Sequence, residues 1–170
     1  MSQREIILLL PSIRSTYNVG AILRSADGFG VTEVICSGTT PCEKNPAYLP
    51  HQSEKVARAI AKTALGAEKS VKISWTEDMK RTVSRLKADG FQIVALENNL
   101  DQETVLLSDK NLNQRLNSKI ALILGEEVDG IAKTLLTEVD LCLEIPMVGK
   151  KESFNVSVAA GIALFALFSA

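Results

Sequence analysis

Four segments combine glycines, small polar side chains and charged groups, and three of them directly follow an apolar run. They are residues 15–24 (STYNVGAILR), 97–99 (ENN), 125–126 (GE) and 146–155 (PMVGKKESFN). If the apolar runs are parallel strands, the segments are loops at one edge of a sheet and can converge. Their glycines allow a ligand to approach the backbone closely, and their backbone amides are exposed. They also supply one arginine on a helix and small polar residues that cap helices. Such a site suits an electrophilic cofactor that needs positioning more than activation.

Common nucleotide-binding and hydrolase motifs do not fit this sequence. Residues 28–30 (GFG) follow a helical pattern rather than a strand and lack the third glycine of a dinucleotide fingerprint. Residues 125–134 (GEEVDGIAKT) nearly match a phosphate loop, but their carboxylates oppose a bound phosphate. A single histidine, His51, and the lack of GxSxG disfavour a Ser-His-Asp hydrolase. A divalent ion is conceivable at the loop carboxylates, but a solvated acidic loop is commoner and we expect no metal; the residues are Glu126, Glu127 and Asp129.

The C-terminal stretch from Cys142 to Ala170 contains the most apolar segment of the chain next to the polar loop that best fits a ligand site. It predicts a buried strand ending at Pro146, a polar loop over residues 147–152, and then a nearly all-apolar helix. Small polar residues that cap helices crowd the helix start, namely Ser153, Asn155 and Ser157. The pattern has two interpretations: an ordinary cap on a core helix, or a ligand at a helix N-terminus beside a strand end.

Strand and helix patterns alternate along the whole chain, which predicts an α/β fold with a parallel sheet flanked by helices. Strands are predicted at residues 5–10, 32–36, 71–75, 91–96, 120–124 and 141–145, the last of them closing the sheet. Helices are predicted around residues 19–26, at 53–65 with Ser53 as N-cap, after a cap at Thr76, and briefly after Gly130. Residues 101–116 are ambiguous between loop and one or two short helical turns.

Composition bounds the class and compartment of the protein. The chain has 170 residues, of which 46% are hydrophobic and 23% charged, which is typical of one soluble globular domain. The formal net charge of -1 gives no global attraction for polyanions, so such a partner needs a local basic patch. Three unclustered cysteines suit a reducing cytoplasm: Cys36, Cys42 and Cys142.

The apolar run over residues 156–170 could be a membrane span or a buried helix. It falls short of the roughly 20 apolar residues that a span needs, and it follows a polar loop. We therefore expect no membrane association and a helix buried on all sides. In so small a protein, one face of such a helix would be buried against a second subunit, which predicts a homodimer.

Three ordered motifs resemble those of the SpoU (TrmH) family of RNA ribose 2′-O-methyltransferases, within the SPOUT superfamily. They are N-x-G-A-I-x-R-x-A at residues 18–26, L-G-E-E-x-x-G at 124–130, and I-P-M-x-G-x-x-x-S-x-N-V-S at 145–157. The resemblance spans almost the whole chain and implies a SPOUT fold with a deep C-terminal trefoil knot. It also implies S-adenosylmethionine as methyl donor, S-adenosylhomocysteine as product, and a homodimer. Residues 1–170 then form a single methyltransferase domain with no appended RNA-binding domain.

The resemblance also implies roles for individual residues. Arg24 matches the motif-one arginine implicated in activating the ribose 2′-hydroxyl, Asn18 matches the asparagine that helps to fix that site, and Glu126 belongs to motif two. The residues matched to the cofactor site are Leu96 or Glu97, Gly125, Ile145, Met147, Ser153, Phe154 and Asn155. Phe154 departs from the usual leucine, although an aromatic ring could still cover the adenine.

The proton role of Arg24 stays open. A sulfonium methyl is already activated, so the protein must align the reacting atoms in line and help to remove one proton. Arginine stays protonated, so it would act by binding the adjacent phosphate and stabilising the developing alkoxide. By themselves, Arg24 would be an exposed helix residue in a salt bridge and Asn18 a simple helix cap.

RNA has to be bound by local basic groups despite the mildly acidic total. The candidates are Arg14, Arg24, Lys55, Arg58, Lys62, Lys69, Lys72, Lys150 and Lys151. A solvated surface is the plainer interpretation of Lys62 and Lys72. A compact tRNA loop suits a minimal domain, and ribosomal RNA is the alternative substrate. Two competing functions are a SPOUT base methyltransferase and a non-catalytic dimeric RNA-binding module.

Overall fold

A computed structural model describes residues 4–98, 100, 103–126 and 130–169. Within these residues, seven strands form one parallel sheet in the order β3-β2-β1-β6-β4-β7-β5. The strands are β1 (Glu5–Pro11), β2 (Glu33–Ser37), β3 (Lys72–Trp75), β4 (Gln92–Leu96), β5 (Val105–Leu106), β6 (Lys119–Leu124) and β7 (Leu141–Glu144). The α/β fold class with a parallel sheet is therefore confirmed.

Helices cover both faces of the sheet. In the described part of the chain they are α1 (Thr16–Gly28), α2 (Pro50–Ala64), α3 (Ala67–Ser70), α4 (Met79–Ala88), α5 (Lys133–Leu136) and α6 (Val156–Ser169), with a 3-10 helix at Leu112–Arg115. Side chains of a strand alternate between faces, so Leu8 and Leu10 pack with α1 and α6 while Ile7 and Leu9 pack with α4. This burial on both faces explains why the strands read as continuous apolar runs.

Several predicted boundaries are wrong. Helix α2 begins at Pro50 rather than after Ser53, because proline is well suited to the first position of a helix. Helix α4 is capped by Asp78, whose carboxylate accepts a hydrogen bond from the Arg81 N–H, and not by Thr76. Strand β7 does not close the sheet, since the two-residue strand β5 pairs outside it. The ambiguous segment thus contains this edge strand as well as a helical turn, and the four-residue helix α3 was not predicted.

Helix α6 is not buried on all sides within the single chain. One face, which includes Ala160 and Leu164, lies in the core, whereas Val158, Phe165 and Phe168 are about half exposed. Phe29 contacts both exposed rings, with centroid distances of 6.4 Å to Phe165 and 5.9 Å to Phe168. No helix among the described residues is long and apolar enough to cross a membrane.

Candidate active site

A cleft of about 470 Å³ lies at the carboxyl edge of β6, β4 and β7. Strand β4 pairs with both of the others, so the loops that follow these three strands meet, and the start of α6 joins them. The lining residues are Leu96, Glu97, Asn98, Leu124, Gly125, Glu126, Gly130, Ile145, Glu152, Ser153, Phe154, Asn155, Val156 and Ala159. The predicted convergence of these strand-end loops is therefore confirmed.

The structure brings most of the predicted site residues to this cleft. Every residue matched to the cofactor site lines it except Met147, and Glu126 lines it too. Met147 is half-buried in the loop after β7, and its neighbour Val148 is fully exposed. The wall of the cleft on this side is thus formed by residues 152–155 rather than by the whole segment from Met147.

Asn155 organises the mouth of the cleft through its side-chain amide. Its Oδ1 accepts hydrogen bonds from the Ser157 N–H at 2.9 Å and the Ser157 hydroxyl at 2.7 Å, which caps α6. Its Nδ2 donates to Asn18 Oδ1 at 3.2 Å, which ties the start of α6 to the first turn of α1. Asn18 is not the cap of α1, because Ser15 performs that role by accepting from the Asn18 N–H at 3.3 Å.

Glu126 carries the charged contact of the β6–α5 loop. Arg14 Nη2 donates to Glu126 Oε2 at 3.0 Å, and this pair joins the loop after β1 to the loop after β6. Glu127 and Asp129 lie outside the described residues. The part of the chain that the structure describes holds no group of three or more His, Cys, Asp or Glu side chains placed to bind a metal ion.

Glu97 lies beneath the same loop and leaves no room for a side chain at its glycines. Glu97 Oε2 accepts from the Ile131 N–H at 2.9 Å, and Oε1 accepts from the Asn98 N–H at 3.2 Å. A Cβ at Gly125 would lie 2.9 Å from Glu97 Oε2 and 2.7 Å from the Gly130 carbonyl carbon, so only glycine fits. Burial raises the pKa of the Glu97 carboxyl, and the two N–H donors oppose that rise.

Family comparison agrees with this geometry. The sequence matches the family model described as the SpoU rRNA Methylase family over residues 5–165. The chain belongs to the SpoU rRNA methylase family.

Individual SpoU relatives resemble the chain over most of its length. A 23S rRNA (guanosine-2′-O-)-methyltransferase RlmB of Xylella fastidiosa is 32% identical over 95% of this chain and 57% of its own length. The A. aeolicus TrmH/SpoU tRNA modifying enzyme superposes with a TM-score of 0.76 at 26% identity, covering 98% of this chain and 75% of that structure. An AdoMet-bound rRNA methyltransferase from Sinorhizobium meliloti shares the fold, with a TM-score of 0.74 at 23% identity over 98% of this chain and 56% of its own. The chain therefore spans a little over half the length of the curated relative.

Within this SpoU fold, Arg24 does not line the cleft of its own chain. Arg24 and Asn18 are six residues apart on α1, so at about 100° per residue their side chains leave the helix roughly 120° apart. Arg24 is exposed, and its side chain forms neither a hydrogen bond nor an ion pair with the described residues. The structure therefore brings Asn18 to the cleft and leaves Arg24 on a different side of the helix.

Among the basic candidates, two groups and the single residues Arg24 and Lys69 are exposed, while Arg14 and Lys72 each form an ion pair. Lys55, Arg58 and Lys62 are exposed on α2, and the pair Lys150-Lys151 is exposed in the loop after β7. Lys72 instead donates to Glu33 Oε2 at 2.8 Å, which supports the plainer interpretation of that residue.

Sequence reasoning missed the role of Asn98. Its amide binds the backbone of the loop after β7 at three points, as described below. The available signal was an asparagine immediately beyond a buried strand, which is a common place for a side chain to bind loop backbone. Asn99, named in the same segment, lies outside the described residues.

Proposed function

We propose that this domain is an S-adenosylmethionine-dependent methyltransferase that modifies a ribose 2′-hydroxyl in structured RNA. The observation that carries the proposal is the meeting of the motif-two and motif-three loops in one cleft, with motif-one Asn18 bonded to its mouth. The names of the relatives support it, because they describe rRNA 2′-O-methylation and tRNA modification.

The lining of the cleft fits the proposed methyl donor. A volume of about 470 Å³ is within the roughly 300–1,000 Å³ of small-molecule sites, and the lining mixes apolar and polar groups. Leu96, Ile145 and Phe154 offer apolar contact for an adenine, while Glu97, Glu126 and Glu152 place carboxylates near a cationic ligand. When bound there, S-adenosylmethionine supplies an electrophilic methyl group.

The protein residues have to position the ribose hydroxyl and support the loss of its proton. Asn18 and Asn155 hold the start of α1 against the start of α6 and so fix the mouth where the ribose would enter. We assign to Arg24 the binding of the neighbouring phosphate and the stabilisation of the developing alkoxide, as its permanent charge allows.

We propose that the domain works as a homodimer through the exposed face of α6. A largely apolar groove of about 470 Å³ runs beside this face and includes Pro146, Ile162, Phe165 and Ala166. Exposed apolar surface of this kind is typical of an interface. In this dimer, Arg24 would act at the cleft of the partner subunit, which accounts for its absence from the lining of its own cleft.

The trefoil knot and the compartment are further parts of the proposal. The C-terminal trefoil knot is proposed from the family resemblance of the three motifs. All three cysteines are buried free thiols, which supports a location in the reducing cytoplasm.

We propose tRNA as the first substrate to test and rRNA as the second. Exposed Lys55, Arg58 and Lys62 on α2, with Lys150 and Lys151 beside the cleft, would bind the phosphate backbone.

Calorimetric titration with S-adenosylmethionine tests the proposal at its first step. We expect saturable binding of one donor per chain, whereas a protein that binds no donor would instead be a non-catalytic RNA-binding module.

A further inference from the structure

Asn98 and Glu97 are consecutive residues just beyond the end of β4, the strand that lies between β6 and β7. Glu97 contacts the loop after β6, and Asn98 contacts the loop after β7. The two residues therefore face the two loops that build the cleft.

The Asn98 amide extends the pairing of β4 with β7 beyond the last strand residues. The final backbone bond of this pairing runs from the Glu97 N–H to the Leu143 carbonyl at 3.0 Å. Asn98 Nδ2 then donates to the Ile145 carbonyl at 2.9 Å, and Asn98 Oδ1 accepts from the Ile145 N–H at 3.2 Å. The side chain thus satisfies both backbone groups of Ile145, as a neighbouring strand would.

A third hydrogen bond closes the loop on itself. Asn98 Nδ2 also donates to the Glu152 carbonyl at 3.3 Å, so one amide binds both ends of the segment between Ile145 and Glu152. The segment between these two points is largely exposed and includes Val148, Lys150 and Lys151. Immediately after the second point come Ser153, Phe154 and Asn155, which line the cleft.

We propose that Asn98 is a positioning residue that holds the β7–α6 loop in the shape required to bind the methyl donor. Glu97 does the same for the β6–α5 loop through the Ile131 N–H, so the end of β4 assembles both cofactor loops. This inference rests on the proposed function for the identity of the ligand. The holding of the loop itself can be tested without any ligand.

The first arm of the test is trypsin digestion of the full chain without cofactor. In Asn98→Ala, all three bonds to the loop are lost, and we expect cleavage after Lys150 or Lys151 to accelerate on the order of tenfold. Mass spectrometry identifies the cut, and the rates at other sites report global unfolding. Asn117→Ala is the matched control, since this exposed asparagine lies before β6 at the opposite edge and uses its backbone N–H to bind Gln92.

The second arm is calorimetric titration of the same proteins with S-adenosylmethionine. We expect Asn98→Ala to bind the donor on the order of tenfold more weakly, with Asn117→Ala equal to the unsubstituted protein. In turnover assays, the KM for the donor should rise more than kcat falls, because Asn98 acts on the donor loop and not on the RNA. Unchanged cleavage and unchanged donor affinity in Asn98→Ala would overturn the inference.

Two further outcomes separate this inference from the proposed function. If the unsubstituted protein binds no donor, the proposed function fails, while accelerated cleavage in Asn98→Ala would still establish the holding of the loop. If Asn98→Ala does not fold, Asn98→Asp replaces it. The aspartate keeps an acceptor for the Ile145 N–H but loses both donated bonds and faces two carbonyls, so it should show the same two effects. Cleavage and affinity that do not change in the aspartate variant would count against the proposal.

Discussion

At the scale of single residues, Asn155 shows how one side chain serves both fold and site. It caps α6 with its oxygen and binds Asn18 with its nitrogen, so helix formation and cleft geometry depend on the same amide. The contact joins residues that are 137 positions apart in the sequence. Neither partner could be matched to the other from local pattern, because capping preferences describe only the nearest backbone.

Replacement of Arg24 by alanine tests its assignment to the reaction. We expect turnover to fall on the order of 10²–10³, because a fixed positive charge would be lost where an alkoxide develops. Donor affinity should not change, because the role proposed for Arg24 is directed to the RNA phosphate and the developing alkoxide and not to the donor. Incorporation of labelled methyl groups into RNA measures the first quantity and calorimetry the second.

Arg81→Ala is the control for this experiment. Arg81 is also an exposed helical arginine, but it lies on α4, on the opposite face of the sheet. Full turnover in Arg24→Ala would remove this residue from the active site.

Glu97 gives the stability of the protein a defined pH dependence. Burial raises the pKa of this carboxyl in the folded state above its ordinary value of 4.5. Its contribution to stability is therefore complete below about pH 4.5 and is lost as pH rises through the folded-state pKa.

Glu97→Gln removes this titration while keeping an oxygen for the Ile131 N–H. We expect the stability of the unsubstituted protein relative to Glu97→Gln to decrease between about pH 5 and about pH 8. Urea unfolding of both proteins at the two pH values measures the change. A stability difference that does not depend on pH would show that burial does not penalise the charged form of Glu97.

At the scale of elements, motif-one Gly20 serves the packing of α1 against α2. A Cβ at this position would overlap Thr63 Oγ1 and the Ile60 carbonyl and would lie 3.0 Å from the Ala64 nitrogen. The Thr63 hydroxyl also donates to the Tyr17 carbonyl at 2.9 Å across the same contact. Glycine is therefore required at this position of the motif because α1 and α2 pack closely there, and not because the residue takes part in the reaction.

Alanine at Gly20 should destabilise the protein by about 1–3 kcal/mol, because the added methyl group overpacks the helix contact. Gly28→Ala on the same helix is the matched control, since a Cβ there meets nothing within 4 Å. That variant should be more stable by about 0.4–1 kcal/mol, because it lowers the entropy of the unfolded chain. Urea unfolding measures the free energy of unfolding of both variants. Equal values for the two would contradict close packing of α1 against α2 at Gly20.

Most elements and the position of the site could be predicted from the sequence, for physical reasons. Buried parallel strands are continuous apolar runs, as at β6, and parallel strands put their carboxyl-end loops on one edge. The two-residue strand β5 could not be predicted, because its pairing with β7 depends on tertiary contact and not on its own pattern. Helix α2 begins earlier than predicted, because proline interrupts helices elsewhere but is well suited to their first position.

At the scale of the whole molecule, the exposed aromatic face of α6 leads to the proposed dimer. Phe165→Glu puts a charge in this face, and we expect it to change the mass by light scattering from two chains to one. Leu65→Glu is the control, because Leu65 is an exposed apolar residue beyond the end of α2. A monomeric unsubstituted protein would contradict the dimer, and a dimeric Phe165→Glu would contradict this interface.

Identification of the methylated nucleoside tests the central claim most directly. RNA is incubated with the protein and methyl-labelled S-adenosylmethionine, digested to nucleosides, and separated for mass analysis, with tRNA and rRNA as separate substrates. The account predicts label in a 2′-O-methylnucleoside from one of the two RNAs. Label in a methylated base would indicate a base methyltransferase, and no label in either RNA would contradict the proposed function.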